Sequence, residues 1–596
     1  MQEQQRSVSG NAFPIILIAA VVQGWALYGL YFAIEHKHWP ATDAPWLTAL
    51  YSIAVLIPAT VQLLADHMRK PIALGMVAAM AVVLFYMGWH GGASLTAIMV
   101  EQRNDFEDLV PFAFELVVLW LLVLPFLQAR LVGGSWRLQY ATLFATAWRN
   151  KLALAEAAAF TGALWLLLLL WQLLFNMLGI AFFRTLFREP LFIYPVTSIT
   201  FGLALHLIGS VERFSSIVLE QVLNVLKWLA VVAGLILAMF TITLLFKLPG
   251  LFATGERIIS AAWLLWLVAV IVLLVNAAYR DGTVERPYPR WIAVALRIVV
   301  PLAAVIALTA MYALYVRTTR YGLTVERVWA FVVAGAAIVY SIGYGIAASR
   351  GGRWMGGISQ VNIAAALALI AVIALALTPI LSPYRLAANS QAKIAAAVEL
   401  NVEFDRDRFD SALTTLRFDT GNYGRRRLLE LAKIKDRPDA EKIRAAVAAI
   451  QLQPNRWGGA ASITTIEEAL ASLPLYPAGA AMNPALKQQV IERLRGQSTL
   501  SRAMLDFGLG GVFVDLDGDG RDEFVMLQNA RADLFEQNGE RWSFVGAMND
   551  SQLTAQPMNN RGASRLADDL TAGPVEARAP RWKNLIVGKR EYRLDR

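Results

Sequence analysis

Nine consecutive residues near the C-terminal end, Asp515-Leu516-Asp517-Gly518-Asp519-Gly520-Arg521-Asp522-Glu523, have the types and spacing to hold a calcium ion. A loop wrapping calcium needs side-chain oxygens at its first, third and fifth positions, glycine at the sixth, a backbone carbonyl at the seventh and an acid at the ninth. Asp515, Asp517, Asp519, Gly520, Arg521 through its carbonyl, and Glu523 fill those places in order. The carboxylates crowded into this stretch repel one another unless a cation or water separates them. An EF-hand is ruled out, because its twelfth position requires a bidentate Glu where Met526 stands, and β-patterned runs flank the loop instead of helices. A merely solvated acidic turn is the alternative. A calcium ion here would be structural, since no histidine or nucleophile accompanies it. Outside the cytoplasm a weak site, with a Kd of roughly 10⁻⁴–10⁻³ M, would suffice.

The other groups able to do chemistry sit in apolar surroundings, where an ionisable side chain is costly and functional by default. Glu115 lies between Pro111 and Pro125, and Arg297 stands four residues before Pro301. A Glu115–Arg297 pair across helices is one reading; snorkelling to the interface or a structural ion pair is the plainer one. Glu156 and His206 fall near the ends of their apolar runs and read the same way. Asn276, Asn362, Asn176, Gln23 and Gln62 suit hydrogen bonds between helices, and Asn276 joins Glu115 and Arg297 as the intramembrane polar candidates. His36 and His38, with Glu35 and Asp43, could gather a metal but read more simply as an interfacial loop. The absence of cysteine excludes disulfides, thiolate metal sites and thiol catalysis. No phosphate-binding Walker loop, Gly-x-Ser-x-Gly, His-Glu-x-x-His or dinucleotide glycine motif occurs. Catalytic residues are therefore unassigned, and the reading leans away from an enzyme.

The elements that must position these groups are dominated by lipid. With 57% hydrophobic and 17% charged residues, the 596-residue chain is too apolar for a soluble protein of its length. Eleven apolar runs fall at about residues 13–34, 46–64, 71–89, 110–127, 154–178, 192–208, 226–245, 258–278, 292–316, 328–348 and 358–381. Each is long enough to cross the hydrocarbon core as a helix. The first run is longer than the apolar stretch of a signal peptide and no small-residue cleavage site follows it, so it is expected to be retained. The net charge of +9 resides mainly in short basic clusters between runs, beside Trp and Tyr. That is the pattern of loops at a membrane interface, and no nucleic-acid partner is expected. Residues 131–150, with Trp136, Tyr140, Phe144 and Trp148 among Arg and Lys, are expected to lie along the interface as an amphipathic helix.

Placing the N-terminus in the cytoplasm puts about 14 Lys and Arg in cytoplasmic segments against about nine in the opposite joints. The positive-inside rule favours that orientation, and an odd number of spans then carries everything beyond Ser382-Pro383 to the periplasmic side of a bacterial inner membrane. Three regions are expected: a multi-pass transmembrane domain over residues 1–384, a mostly helical soluble region over 385–500, and a small β-rich region over 501–596 carrying the acidic loop. The fold class is thus an α-helical polytopic membrane domain of about eleven helices followed by a soluble α+β C-terminal domain.

Several stretches resemble a known family. Asn276-Ala277-Ala278-Tyr279-Arg280-Asp281-Gly282, Pro287-Tyr288-Pro289-Arg290-Trp291, Tyr321-Gly322-Leu323-Thr324-Val325-Glu326-Arg327-Val328-Trp329, Val361-Asn362, Ser382-Pro383, Ser390-Gln391, Leu416-Arg417-Phe418 and Tyr423-Gly424 are similar to the bacterial membrane family called domain of unknown function 4153. The resemblance covers roughly residues 19–429 and implies a multi-pass membrane protein, with no activity or site residue to transfer. The acidic loop resembles the strand-flanked calcium loops of the FG-GAP and VCBS type. Three functions fit: a non-catalytic envelope protein whose extracytoplasmic tail binds a partner, a secondary transporter using Glu115, or a membrane-embedded glycosyl or acyl transferase with acids at Glu101, Asp105, Glu107 and Asp108. Membrane lipid is the one partner common to all three. The first is favoured, because no matched pair of broken helices marks a transporter and the first outer joint is too short for a transferase loop.

Overall fold

An apolar run of about 20 residues can satisfy its backbone in hydrocarbon only as a helix. The computed structural model describes residues 12–102, 109–136, 139–210, 212–254, 260–284, 286–350, 354–398, 403–453, 456, 470, 473–477, 479–495, 509–528, 531–539, 541–549, 585–587 and 590–592. Eleven helices among them are long and apolar enough to cross a membrane, one for each expected run. The first five spans lie on α1 (Phe13–Glu35), α2 (Ala44–Leu63), α3 (Pro71–Gln102), α4 (Leu109–Gly133) and α5 (Tyr140–Met177). The short α6 (Phe182–Leu186) leads to α7 (Pro190–Ser210), α8 (Glu212–Thr254) and α9 (Ala261–Tyr279). In the ninth span α10 (Arg290–Val299) passes through a 3-10 turn into α11 (Ala303–Tyr321), because Pro301 has no N–H to continue the α-helical ladder. Spans ten and eleven are α12 (Val325–Ser349) and α13 (Ile358–Ala376).

The interfacial segment differs from expectation. Residues 131–133 finish α4, and from Tyr140 onward the chain is continuous with the fifth span as one helix of 38 residues. No Gly or Pro interrupts 140–161, so nothing breaks the helix at the membrane surface. At about 1.5 Å per residue it extends well beyond a hydrocarbon core of about 30 Å.

The helices share two packed interiors. Leu237, Leu264, Ile306, Tyr344 and Ile358 belong to one, formed by α8 to α13. Leu56, Leu84, Leu95, Trp120 and Leu124 centre the other, among α2, α3 and α4. Outward faces are equally apolar: Leu167 on α5 is 63% exposed and Phe246 on α8 is 83% exposed. Faces of this kind need lipid to cover them. The chain is an integral, multi-pass membrane protein.

Two compact units are present, Met1–Val447 and Ala448–Arg596. The stretch expected as one soluble helical region over 385–500 is therefore divided. α14 (Pro383–Ala397), α15 (Glu403–Phe418) and α16 (Gly421–Leu431) belong to the membrane unit, where α14 packs on α12 and α16 on α3. The division falls inside α17 (Ala440–Leu452). In the second unit β1 (Leu475–Tyr476) runs parallel to β2 (Leu509–Val514). β3 (Glu523–Gln528), β4 (Arg531–Asn538) and β5 (Arg541–Asn549) then continue the sheet as antiparallel neighbours. α18 (Pro484–Arg495) supplies Leu486, Val490 and Leu494 to a core with Phe524, Met526 and Phe535. β6 (Leu585–Val587) and β7 (Arg590–Tyr592) form a separate pair. The α+β reading of the C-terminal region and its strand-flanked acidic loop agree with this arrangement.

Candidate functional site

β2 and β3 pair up to Val514 and Glu523, so the acidic loop closes directly on a strand pair. Gly518 and Gly520 adopt φ of 84° and 83°, the left-handed conformation that glycine takes without steric cost. This turns backbone N–H groups inward. Asp515 accepts from Gly518 N at 2.7 Å and from Gly520 N at 2.9 Å, one bond at each carboxylate oxygen. Asp517 accepts from Asp519 N at 3.0 Å, and buried Glu523 from Leu516 N at 2.7 Å. One carboxylate oxygen from each of Asp515, Asp517 and Glu523 lies within 4.8 Å of the others. Asp519 is not in this group; its carboxylate accepts from Arg521 N at 2.8 Å. Of the four expected side-chain ligands, three converge. The donor set is hard oxygen, which fits calcium.

The intramembrane candidates separate. Glu115 is half-buried on α4, which packs against α2, α3, α5 and α13. Arg297 is on α10, whose neighbours are α8 and α12, and no ion pair joins the two. Asn276 has a definite place. Asn362 Nδ2 donates to Asn276 Oδ1 at 2.6 Å and to the Tyr140 hydroxyl at 2.8 Å, while the Tyr344 hydroxyl donates to Asn362 Oδ1 at 2.7 Å. Four helices, α5, α9, α12 and α13, are thereby tied at one point. Asn276 and Asn362 were legible as interhelical partners; Tyr140 and Tyr344 were not, since an aromatic at helical spacing reads as packing.

A second set of contacts seats α14 and α16 on the ends of the spans. Gln391 Nε2 donates to the carbonyls of Tyr321 at 3.0 Å and Leu323 at 2.8 Å, and Leu323 N donates to Ser390 Oγ at 2.9 Å. Gly322 between them has φ 73°, and a Cβ there would stand 2.5 Å from Ile394 Cδ1. On α3, His90 Nδ1 donates to the Leu377 carbonyl at 3.1 Å, which leaves Nε2 to accept from the Tyr423 hydroxyl at 3.3 Å. Asn422 Nδ2 donates to the Ala93 carbonyl at 2.6 Å. Arg437 donates to the carbonyls of Ala396 and, at 2.8 Å, Val398, and its guanidinium holds the Asp439 carboxyl below the usual carboxylate range.

Most of the motifs that carry the family resemblance thus make joints between helices: Asn276 and Asn362 inside the bundle, Gly322-Leu323 with Ser390-Gln391, and Tyr423 with His90. Of the acids considered for a transferase, Asp105, Glu107 and Asp108 lie outside the described residues, and of Glu101 only the helical backbone is described. Compared with known proteins, the chain matches no family description, no curated protein and no solved structure.

Proposed function

We propose that the chain is a non-catalytic protein of a bacterial inner membrane, of the family its motifs resemble. Its N-terminus is cytoplasmic, and its post-membrane helices and C-terminal unit meet an envelope partner on the periplasmic side. Calcium braces the β2–β3 loop. The observation that carries this reading is the use of the motif residues as joints: Asn276 and Asn362 bond each other inside the bundle, and Leu323 with Ser390-Gln391 and Tyr423 with His90 hold α14 and α16 in place. A protein that presents a surface needs such joints. The test is a photo-crosslinking residue at Leu429, an exposed apolar position on α16, with the lipid-facing Leu167 as control. A discrete protein adduct at Leu429 and none at Leu167 supports the reading; adducts at neither position contradict it.

A second reading, a transporter, is favoured by Glu115 alone. It is half-buried in a span and makes no hydrogen bond or ion pair among the described residues. Proton-coupled flux in vesicles that is lost in Glu115→Gln supports this reading, and unchanged flux removes it.

A further inference from the structure

Where α1 begins, α2, α4 and α7 end and the first turns of α5 pass, a cavity of about 300 Å³ opens. Because successive spans alternate in direction, these five ends lie on one side of the bundle, at the depth where lipid headgroups meet hydrocarbon. The cavity wall is divided by chemistry. One part is aliphatic, with Leu63, Leu205 and Ile208. The other carries Gln62, Asp66, His67, Gln128, Arg149 and Asn150.

The polar part is not fully satisfied from within. Gln128 and Asn150 bond each other reciprocally, at 3.2 and 2.7 Å. Gln62 is 4% exposed, and its Nε2 donates to Gln23 Oε1 at 3.3 Å, but its own Oε1 is buried with no hydrogen-bond partner. A buried acceptor without a donor costs about 1–3 kcal/mol, so the site favours a ligand that brings an N–H or O–H. Asp66 and Arg149, both exposed at the cavity rim, form no ion pair with each other or with any other described residue. Burial and the Lys70 ammonium hold His67 below the usual histidine range, so at neutral pH it adds no charge. The rim therefore offers one anion and one cation beside a buried acceptor and an aliphatic wall, at the headgroup level of a bilayer.

We propose that this cavity binds the headgroup of a zwitterionic phospholipid bearing a primary ammonium, a phosphatidylethanolamine. Its phosphate meets Arg149, its ammonium meets Asp66 and gives Gln62 Oε1 the missing donor, and its first methylenes lie on Leu63, Leu205 and Ile208. A trimethylated choline headgroup has no N–H to donate to Gln62, and a glycerol headgroup has no cation for Asp66. The volume lies at the lower end of the roughly 300–1,000 Å³ typical of small-ligand pockets, enough for a headgroup but not for the acyl chains.

The test uses the full-length protein purified in mild detergent and offered palmitoyl-oleoyl phosphatidylethanolamine, phosphatidylglycerol or phosphatidylcholine, with native mass spectrometry counting retained lipid. One phosphatidylethanolamine per chain should survive washing that strips the other two. Asp66→Asn should abolish the preference over phosphatidylglycerol. Arg149→Gln should lower retention about tenfold, the loss of roughly one charge-assisted hydrogen bond. Both positions are exposed, so folding should be untouched, and an unchanged melting temperature checks this. Competition by free phosphoethanolamine, but not by inorganic phosphate, supports recognition of the whole headgroup. Equal retention of the three lipids, displacement by phosphate alone, or unchanged retention in both variants overturns the proposal.

Discussion

Gly421 and Ser94 are in direct backbone apposition: Gly421 has φ 53°, and a Cβ on it would stand 2.1 Å from the Ser94 carbonyl oxygen. The first residue of α16 is thus pressed against α3 where no side chain fits. The contact lies beside the His90–Tyr423 and Asn422–Ala93 bonds, so one glycine decides how closely the post-membrane helices approach the bundle.

Gly421→Ala should therefore separate α16 from α3. The left-handed backbone alone costs a non-glycine residue about 1–3 kcal/mol, and the clash adds to it. Thermal unfolding of the purified protein should show a lower melting temperature. Gly29→Ala in α1, where a Cβ meets nothing within 4 Å, should leave the temperature unchanged or raise it.

Asn276→Ala and Asn362→Ala should each destabilise the bundle by about 0.6–2 kcal/mol. The double variant should cost less than the sum, because the first change already orphans the partner. A double-mutant cycle by unfolding in detergent measures the coupling; strict additivity would show that the 2.6 Å bond between them contributes nothing.

Titrating calcium into the full chain should give a heat of binding with a Kd of roughly 10⁻⁴–10⁻³ M. Asp515→Ala and Asp517→Ala should abolish it. Asp519→Asn should weaken it less, since that carboxylate is turned toward Arg521 N instead of joining the convergent three. Absence of heat in the parent chain would mark the loop as a solvated turn held by its own backbone bonds.

The Arg437 guanidinium lowers the folded-state pKa of Asp439 below its unfolded value of about 3.9. A depressed carboxylate pKa stabilises the fold above the unfolded value, and this stabilisation fades as pH falls through the folded one. Stability measured from pH 6 down to pH 2 should fall less steeply in Asp439→Asn than in the parent below about pH 4. Parallel curves would show that the pair is not coupled to folding.

Hydrophobic length is a local property that a bilayer reads directly, which is why all eleven spans were legible, even the proline-bearing sixth around Pro195. The strands flanking Asp515 and Glu523 were equally legible, since alternation of period two and the glycine pair are also local. What could not be read was which polar groups meet. Asn276 and Asn362 are 86 residues apart and His90 and Tyr423 are 333 apart, pairings set by the packing of whole helices. The same limit explains why Glu115 and Arg297 looked like possible partners. The continuity of α5 went unseen because aromatic and basic residues at an interface look alike whether a helix lies along the surface or projects through it. The assignment of α14 to α16 to the membrane unit was hidden for a related reason: their inner contacts, Gln391 with the Tyr321 and Leu323 carbonyls and Asn422 with the Ala93 carbonyl, are made with residues 68 to 329 positions away in the chain.

The chain has no cysteine, so single cysteines report position without background. The most direct test of the proposed topology places them at the exposed Thr42, Arg69, Arg350 and Lys433 and labels outer-membrane-permeabilised cells with a membrane-impermeant maleimide. With eleven spans, the N-terminus inside and the post-membrane helices outside, Thr42→Cys and Lys433→Cys should label in these cells while the inner membrane is intact, and Arg69→Cys and Arg350→Cys only after lysis. Labelling of Lys433→Cys together with Arg69→Cys, and without Thr42→Cys, would contradict it.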